Sequence, residues 1–363
     1  MSETEKQADG DEKKHGWMAV FNLVMLVVGG FALWWLLRST SWHELRNVLS
    51  GVGAWAAVIL ALDLTALCCD AAALHAFMRP EARMVSYARV LGAQASGRAI
   101  NVLTPFGALG EATKVTMLSE HAPRARVLSS LVLLNVSKLY LSVTVMVIGT
   151  PITILLVDLP DAVKLMVGIG LAVLVPAMIA IGVMIHRGAV SSLVGILRGS
   201  RIVSAERANA WKEKLVEVDK HIRELQSHRT AGTRMGLMFV LISQMFSYTS
   251  TLVIMTAVGV HLTPSLVVGV LSVGVLVTWV SSVVPLGLGL ADGGNYALYT
   301  ILGAGGEHGM FVTMLARART VTIAILGLGA MAVINAHARY AQWRIHHKLV
   351  QMKAARDDSP AET

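Results

Sequence analysis

The sequence predicts an all-α polytopic membrane protein with about six full transmembrane helices and two re-entrant helical hairpins in an inverted-topology repeat. Three observations carry that expectation. Hydrophobic residues make up 55% of the 363-residue chain and charged residues 15%, with a mean hydropathy of +0.62, far more apolar than a soluble domain with about 25% charged residues. Apolar runs of about 20 residues recur, the length that crosses a roughly 30 Å hydrocarbon core. Two stretches within this background, Ile100 to Lys114 (INVLTPFGALGEATK) and Val283 to Asn295 (VVPLGLGLADGGN), each join a Pro-x-Gly step to a carboxylate. Proline removes a backbone donor and clashes with the preceding turn, while glycine permits close approach, so each stretch should break a helix. Broken backbone at membrane depth is tolerated where protein or a water-filled cavity surrounds it. These two stretches are the candidate working centre.

Charge and cysteine usage narrow the function classes. The net charge of +8 resides in inter-helix loops and the tail, which fits orientation by the positive-inside rule better than a nucleic-acid surface. The cysteines, Cys68 and Cys69, are adjacent in an apolar run, which suits neither a disulfide framework nor a CxxC metal site. No cofactor, metal or nucleic-acid partner is expected.

Along the chain, residues 1–16 are polar and are expected to be a disordered tail. The first repeat occupies 17–149. The run from Trp17 to Leu37 is longer than a signal-peptide core and lacks a small-residue cleavage site, so it reads as a retained span, with Trp34, Trp35 and Trp42 at an interface. The second span, about Val52 to Met78, carries Asp63 and Asp70 seven residues apart on one face. These either pair structurally with Arg98 or Lys138 or form an ion or proton relay. Residues 89–118 are too polar for a lipid-exposed span, with Arg98, Glu111 and Lys114 around Pro105. Gln94, Arg98 and Asn101 form one polar stripe, and a re-entrant hairpin fits. A span from Val127 to Gly149 carries Lys138.

After a short acidic loop with Asp158 and Asp161, the second repeat occupies 162–334, starting with a span to about Ile185. The segment Arg187 to Arg234 has ten Lys or Arg against five Asp or Glu. Within its insert, 198–230, Trp211, Leu215, Val218, Ile222 and Leu225 recur at 4-3-4-3 spacing, an amphipathic helix. It could lie on the membrane, self-associate through residues 201–229, dock a lipid-synthesis enzyme, or pack as a solvated helix. A span from Met235 to Val258, an uncharged turn, a second hairpin at 265–305 and a last span from Met310 to Ile334 follow. The basic tail, 335–363, interleaves Arg339, Arg344, Lys348 and Lys353 with Tyr340 and Trp343, which suits an interfacial helix.

Placing the basic segment in the cytoplasm puts both termini there as well, and the acidic loop and uncharged turn outside. That assignment requires 89–118 and 265–305 to enter and leave on opposite faces. The halves then read alike. Pro105 and Pro285, like Gly107 and Gly287, are 180 residues apart, and Glu111 and Asp292, like Lys138 and Arg319, are 181 apart. Three crossings per half invert the second against the first. Broken helices at matching positions of inverted repeats are a transporter architecture, with the substrate near the midplane.

At these residues the chain resembles the lysylphosphatidylglycerol synthase transmembrane, or flippase-like, family. The resemblance runs from about Trp17 to Ile334. It rests on TPFGALGE, Thr104 to Glu111, which includes Gly110, on PLGLG, Pro285 to Gly289, and on a basic residue in the last span, Arg317 or Arg319. It implies translocation of a polar or anionic lipid headgroup in the cell membrane. Arg98, Lys138 and Arg319 would then bind phosphate, assisted by helix ends freed at Pro105 and Pro285. Glu111 and Asp292 would meet a cationic headgroup or hold those basic residues. No GxxxxGK[ST], HExxH or GxSxG motif occurs, so the chain reads as a transporter and not an enzyme. A membrane scaffold of a lipid-synthesis complex and an embedded headgroup enzyme are the competing readings.

Overall fold

The structure is a computed structural model that describes residues 52–79, 84–104, 108–157, 160–186, 231–282 and 289–357, together with Val24 and Val27. Pro105, Gly107, Pro285, Gly287, the tail 1–16, the insert 198–230 and all of the first span but those two valines lie outside the described residues. Every regular element among the described residues is a helix. In chain order they are α1 (Trp55–Phe77), α2 (Tyr87–Leu103), α3 (Ala108–Ser119), α4 (Arg124–Leu156), α5 (Asp161–His186), α6 (Ala231–Ala257), α7 (Pro264–Ser281), α8 (Leu290–Ile301) and α9 (Gly306–Asp357).

Five stretches among the described residues are long and apolar enough to cross a membrane: Trp55–Phe77, Arg124–Leu156, Ala231–Ala257, Pro264–Ser281 and Gly306–Ala336. In α5 the apolar stretch is Val167–Ala180. The two hairpins differ. α7, the first arm of the second, has a mean hydropathy of 1.9 and, at 18 residues, a length of about 27 Å. α2 carries Gln94, Arg98 and Asn101 and is not among the five. A second difference concerns the tail. It continues the last span as one helix to Asp357, without the break that a separate interfacial helix would need, because no glycine or proline lies between Ala330 and Asp357.

Local sequence explains the helix ends. Ser86 accepts the Arg89 amide at 3.4 Å, and Thr263 accepts the Leu266 amide at 3.3 Å ahead of Pro264 in the first turn, both N-caps. α6 stops in a Schellman turn at Gly259, φ +85°, where the Val260 and Gly259 amides donate to the Met255 and Thr256 carbonyls at 3.0 Å.

Small residues set the packing, as expected where lipid gives helices no hydrophobic reason to associate. α1 and α6 run antiparallel, with Gly232 against Ala76, Gly236 against Phe77 and Ser243 against Asp70. α2 lies along α9, where Ile334 covers Gly92 and Ser96 Oγ is 3.4 Å from the Gly327 carbonyl. α7 lies along α4, where Ser272 covers Gly149 and its hydroxyl is 3.2 Å from that of Thr153. The helix that opens each expected hairpin therefore packs on a long apolar helix distant in sequence, α2 on α9 and α7 on α4. One core, around Leu74, Phe77, Leu118 and Leu134, lies under the first hairpin. A second, around Ile254, Leu266, Leu298 and Tyr299, lies under the second hairpin.

Candidate functional site

The first hairpin is closed by a polar clip. Asn101, at the end of α2, donates through Nδ2 to Glu111 Oε1 at 3.2 Å, and its Oδ1 accepts the Gly110 amide at 2.8 Å. Glu111 Oε1 also receives Lys114 Nζ at 2.7 Å, while Oε2 receives Asn135 Nδ2 from α4 at 3.1 Å. The carboxylate thus ties both arms and the following span together. Lys114 is 5% exposed, so its charge depends on Glu111. The arms touch at Gly97 and Gly110, where a methyl group on Gly110 would overlap the Gly97 carbonyl and the Asn101 side chain. Thr104 is buried and turns its hydroxyl back to the Ile100 carbonyl at 2.8 Å.

The second hairpin uses its carboxylate differently. Gly289 starts α8 at φ +78°, a conformation that other residues adopt at a cost. Asp292 Oδ2 accepts the Gly289 amide at 3.0 Å, one half of a capping box. The same oxygen receives Arg317 Nη2 from α9 at 2.5 Å. Asn295 donates to Thr313 Oγ1 at 2.8 Å and adds a second tie between the same helices.

Between the hairpins lies the α1–α6 pair. Asp70 is saturated, with Lys138 Nζ on Oδ2 at 2.5 Å and Ser243 Oγ on Oδ1 at 2.6 Å. Asp63, one repeat of the same face away, meets Arg319 with Nε and Oδ2 3.3 Å apart. Neither of those two atoms has a well-aligned hydrogen bond. Arg319 Nη1 also reaches Ser250 Oγ at 3.2 Å. Arg98 lies within electrostatic range of Arg319. It forms no hydrogen bond or ion pair among the described residues. One turn back on α2, Gln94 is 3% exposed and its Nε2 has no hydrogen-bond partner among them.

The pairing of Asp70 with Lys138 matches one of the two alternatives open from sequence. Asp63 takes Arg319, not Arg98 or Lys138, a partner that helical spacing along one half does not reveal. Arg317 and Arg319, alternatives for the basic residue of the last span, each meet a carboxylate, Asp292 and Asp63 respectively. The hydroxyls Ser243 and Ser250 and the amide Asn135 were missed. A signal existed for the serines: they lie seven residues apart on α6, as Asp63 and Asp70 do on α1, and each is 180 residues from one of those carboxylates.

A family model described as lysylphosphatidylglycerol synthase TM region matches residues 22–327. No curated protein and no solved structure matches the chain.

Proposed function

As the chain belongs to the lysylphosphatidylglycerol synthase TM region family, we propose that this multi-pass membrane protein is a translocator for lipids with an anionic headgroup. One observation carries the reading. Within the bundle Asp70, Glu111, Asp292 and Asp63 are each matched to a cation, Lys138, Lys114, Arg317 and Arg319. Among the described residues Arg98 is left over, within electrostatic range of Arg319. Arg98 is half-buried, and a guanidinium withdrawn from water without a counter-charge is costly, a cost that an anion placed between Arg98 and Arg319 would remove. Guanidinium forks suit phosphate oxygens because they bind two at once.

The packing supports an inverted repeat as the frame for this site. The antiparallel α1–α6 register, and the exchange of hairpin arms between α4 and α9, are what a two-fold axis in the membrane plane would produce. In that frame the hairpins enter from opposite faces, and the polar clusters line a path between them. We place the protein in the cell membrane with both termini cytoplasmic. Its partners are membrane lipids, with the segment 201–229 available for self-association or for a lipid-synthesis enzyme. In this reading the chain performs no covalent chemistry.

The test is headgroup translocation in proteoliposomes with labelled phosphatidylglycerol, its lysyl ester and a polyprenyl phosphate. Wild type should move at least one of them, and Arg98→Ala should move none at comparable insertion. Full movement by Arg98→Ala would remove the anion site from the mechanism, and no movement by wild type would favour a scaffold.

A further inference from the structure

The two carboxylates of α1 occupy the same face and differ in how they are held. Asp70 has both oxygens engaged at 2.5 and 2.6 Å. Asp63, 1% exposed, has one misaligned contact at 3.3 Å to a guanidinium that also bonds Ser250. Arg319 in turn lies within electrostatic range of Arg98, a second guanidinium with no carboxylate of its own among the described residues. Of the two guanidiniums only Arg319 has a carboxylate among the described residues, and that carboxylate is poorly seated.

The α1–α6 register provides somewhere for that carboxylate to go. Phe77 lies against Gly236, and seven residues earlier on α1 Asp70 faces Ser243, seven later on α6. A further step of seven sets Asp63 opposite Ser250. Ser243 already donates to Asp70, so Ser250 can donate to Asp63 in the same manner once Arg319 leaves it.

We propose that Asp63 is a built-in competitor for Arg319, holding the guanidinium until an oxyanion bridges Arg98 and Arg319, whereupon Asp63 passes to Ser250. This rests on the anion-translocating reading and adds to it the step that couples binding to helix movement. An oxyanion gains charge-assisted bonds from two forks, where Asp63 makes one poor contact to a single fork. Arg319 belongs to α9 and Asp63 to α1, so the exchange unfastens α9 from α1 while Asp70 and Lys138 keep α1 fastened to α4. A ligand that breaks one tie and spares the other has the differential interaction that a conformational change requires.

The experiment is equilibrium titration of the full chain, in neutral-detergent micelles, with a fluorescent short-chain phosphatidylglycerol. Asp63→Asn should bind about tenfold more tightly than wild type, within the range of ordinary coupling between sites. Asp63→Asn combined with Arg319→Gln should lose that gain. A folded Asp63→Asn that binds no more tightly than wild type overturns the proposal. If Asp63→Asn fails to fold, Asp63→Glu tests it in the other direction. Its longer arm should seat on Arg319 and weaken binding several-fold, and unchanged affinity overturns the proposal. Wild type that binds the probe no better than Arg98→Ala would instead remove the anion site, and the competitor with it. Intact wild-type binding with no response to Asp63 removes only the competitor.

Discussion

Glu111 and Asp292 stand at matching places in the two hairpins, yet their chemistry differs. Glu111 serves a lysine of its own helix and two amides, whereas Asp292 caps its own helix and reaches an arginine on α9. Removing Glu111 therefore strands Lys114, which is 5% exposed. Glu111→Gln should cost about 2 kcal/mol, below the 3–5 kcal/mol of a fully buried pair because Glu111 keeps some solvent access. Adding Lys114→Met should recover most of that stability, since a buried pair replaced as a whole is often neutral. Thermal unfolding in micelles would check both, and equal stability of all three proteins would show that the pair is not coupled.

For the elements, the decisive feature is how closely the hairpin arms approach. Gly110→Ala must push α3 off α2 at the Gly97 carbonyl, an overpacking change of about 1–3 kcal/mol, and should abolish lipid movement by opening the Asn101 clip. Gly293, in α8, has open space where a methyl group would sit. Gly293→Ala should stabilise by about 0.5 kcal/mol through helix propensity and leave movement unchanged. Parallel melting and translocation assays separate the two. A Gly110→Ala protein as stable and active as Gly293→Ala would mean the arms are not in contact. Gly289→Ala should cost about 1–2 kcal/mol because alanine must take φ +78° there, which the same melts would register.

Across the molecule, α2 packs along α9 and α7 along α4, while α1 and α6 run antiparallel. Both carboxylates come from α1 and both serine hydroxyls from α6, so in the proposed inverted repeat the charge is distributed asymmetrically. An inverted arrangement puts the turn after α3 and the turn after α6 on opposite faces. In a background with Cys68 and Cys69 replaced by alanine, Glu120→Cys should label with an impermeant maleimide from the cytoplasmic side. Leu262→Cys, on an exposed turn residue, should label from the outer side. Labelling of both from one side would rule out the inversion.

What the sequence by itself determined was the all-helical membrane class and several of its apolar helices, though not that Pro264–Ser281 is long and apolar enough to cross a membrane. Those follow from quantities local to the chain: runs of apolar residues, proline and glycine positions, caps at Ser86 and Thr263. It also named the charged residues, because a charge in an apolar run stands out wherever it folds. The tertiary structure decided which charge meets which. Asp63 and Arg319 are 256 residues apart, and their contact exists because α9 packs beside α1, something no periodicity within either helix encodes. The surplus of Arg98 is a difference between pairings and could be seen only after the others had been assigned. Serines 243 and 250 went unnoticed for a related reason: a hydroxyl in an apolar helix ordinarily satisfies itself on its own backbone, and only the packing of α1 gives Ser243 other partners, Asp70 and the Ala66 carbonyl.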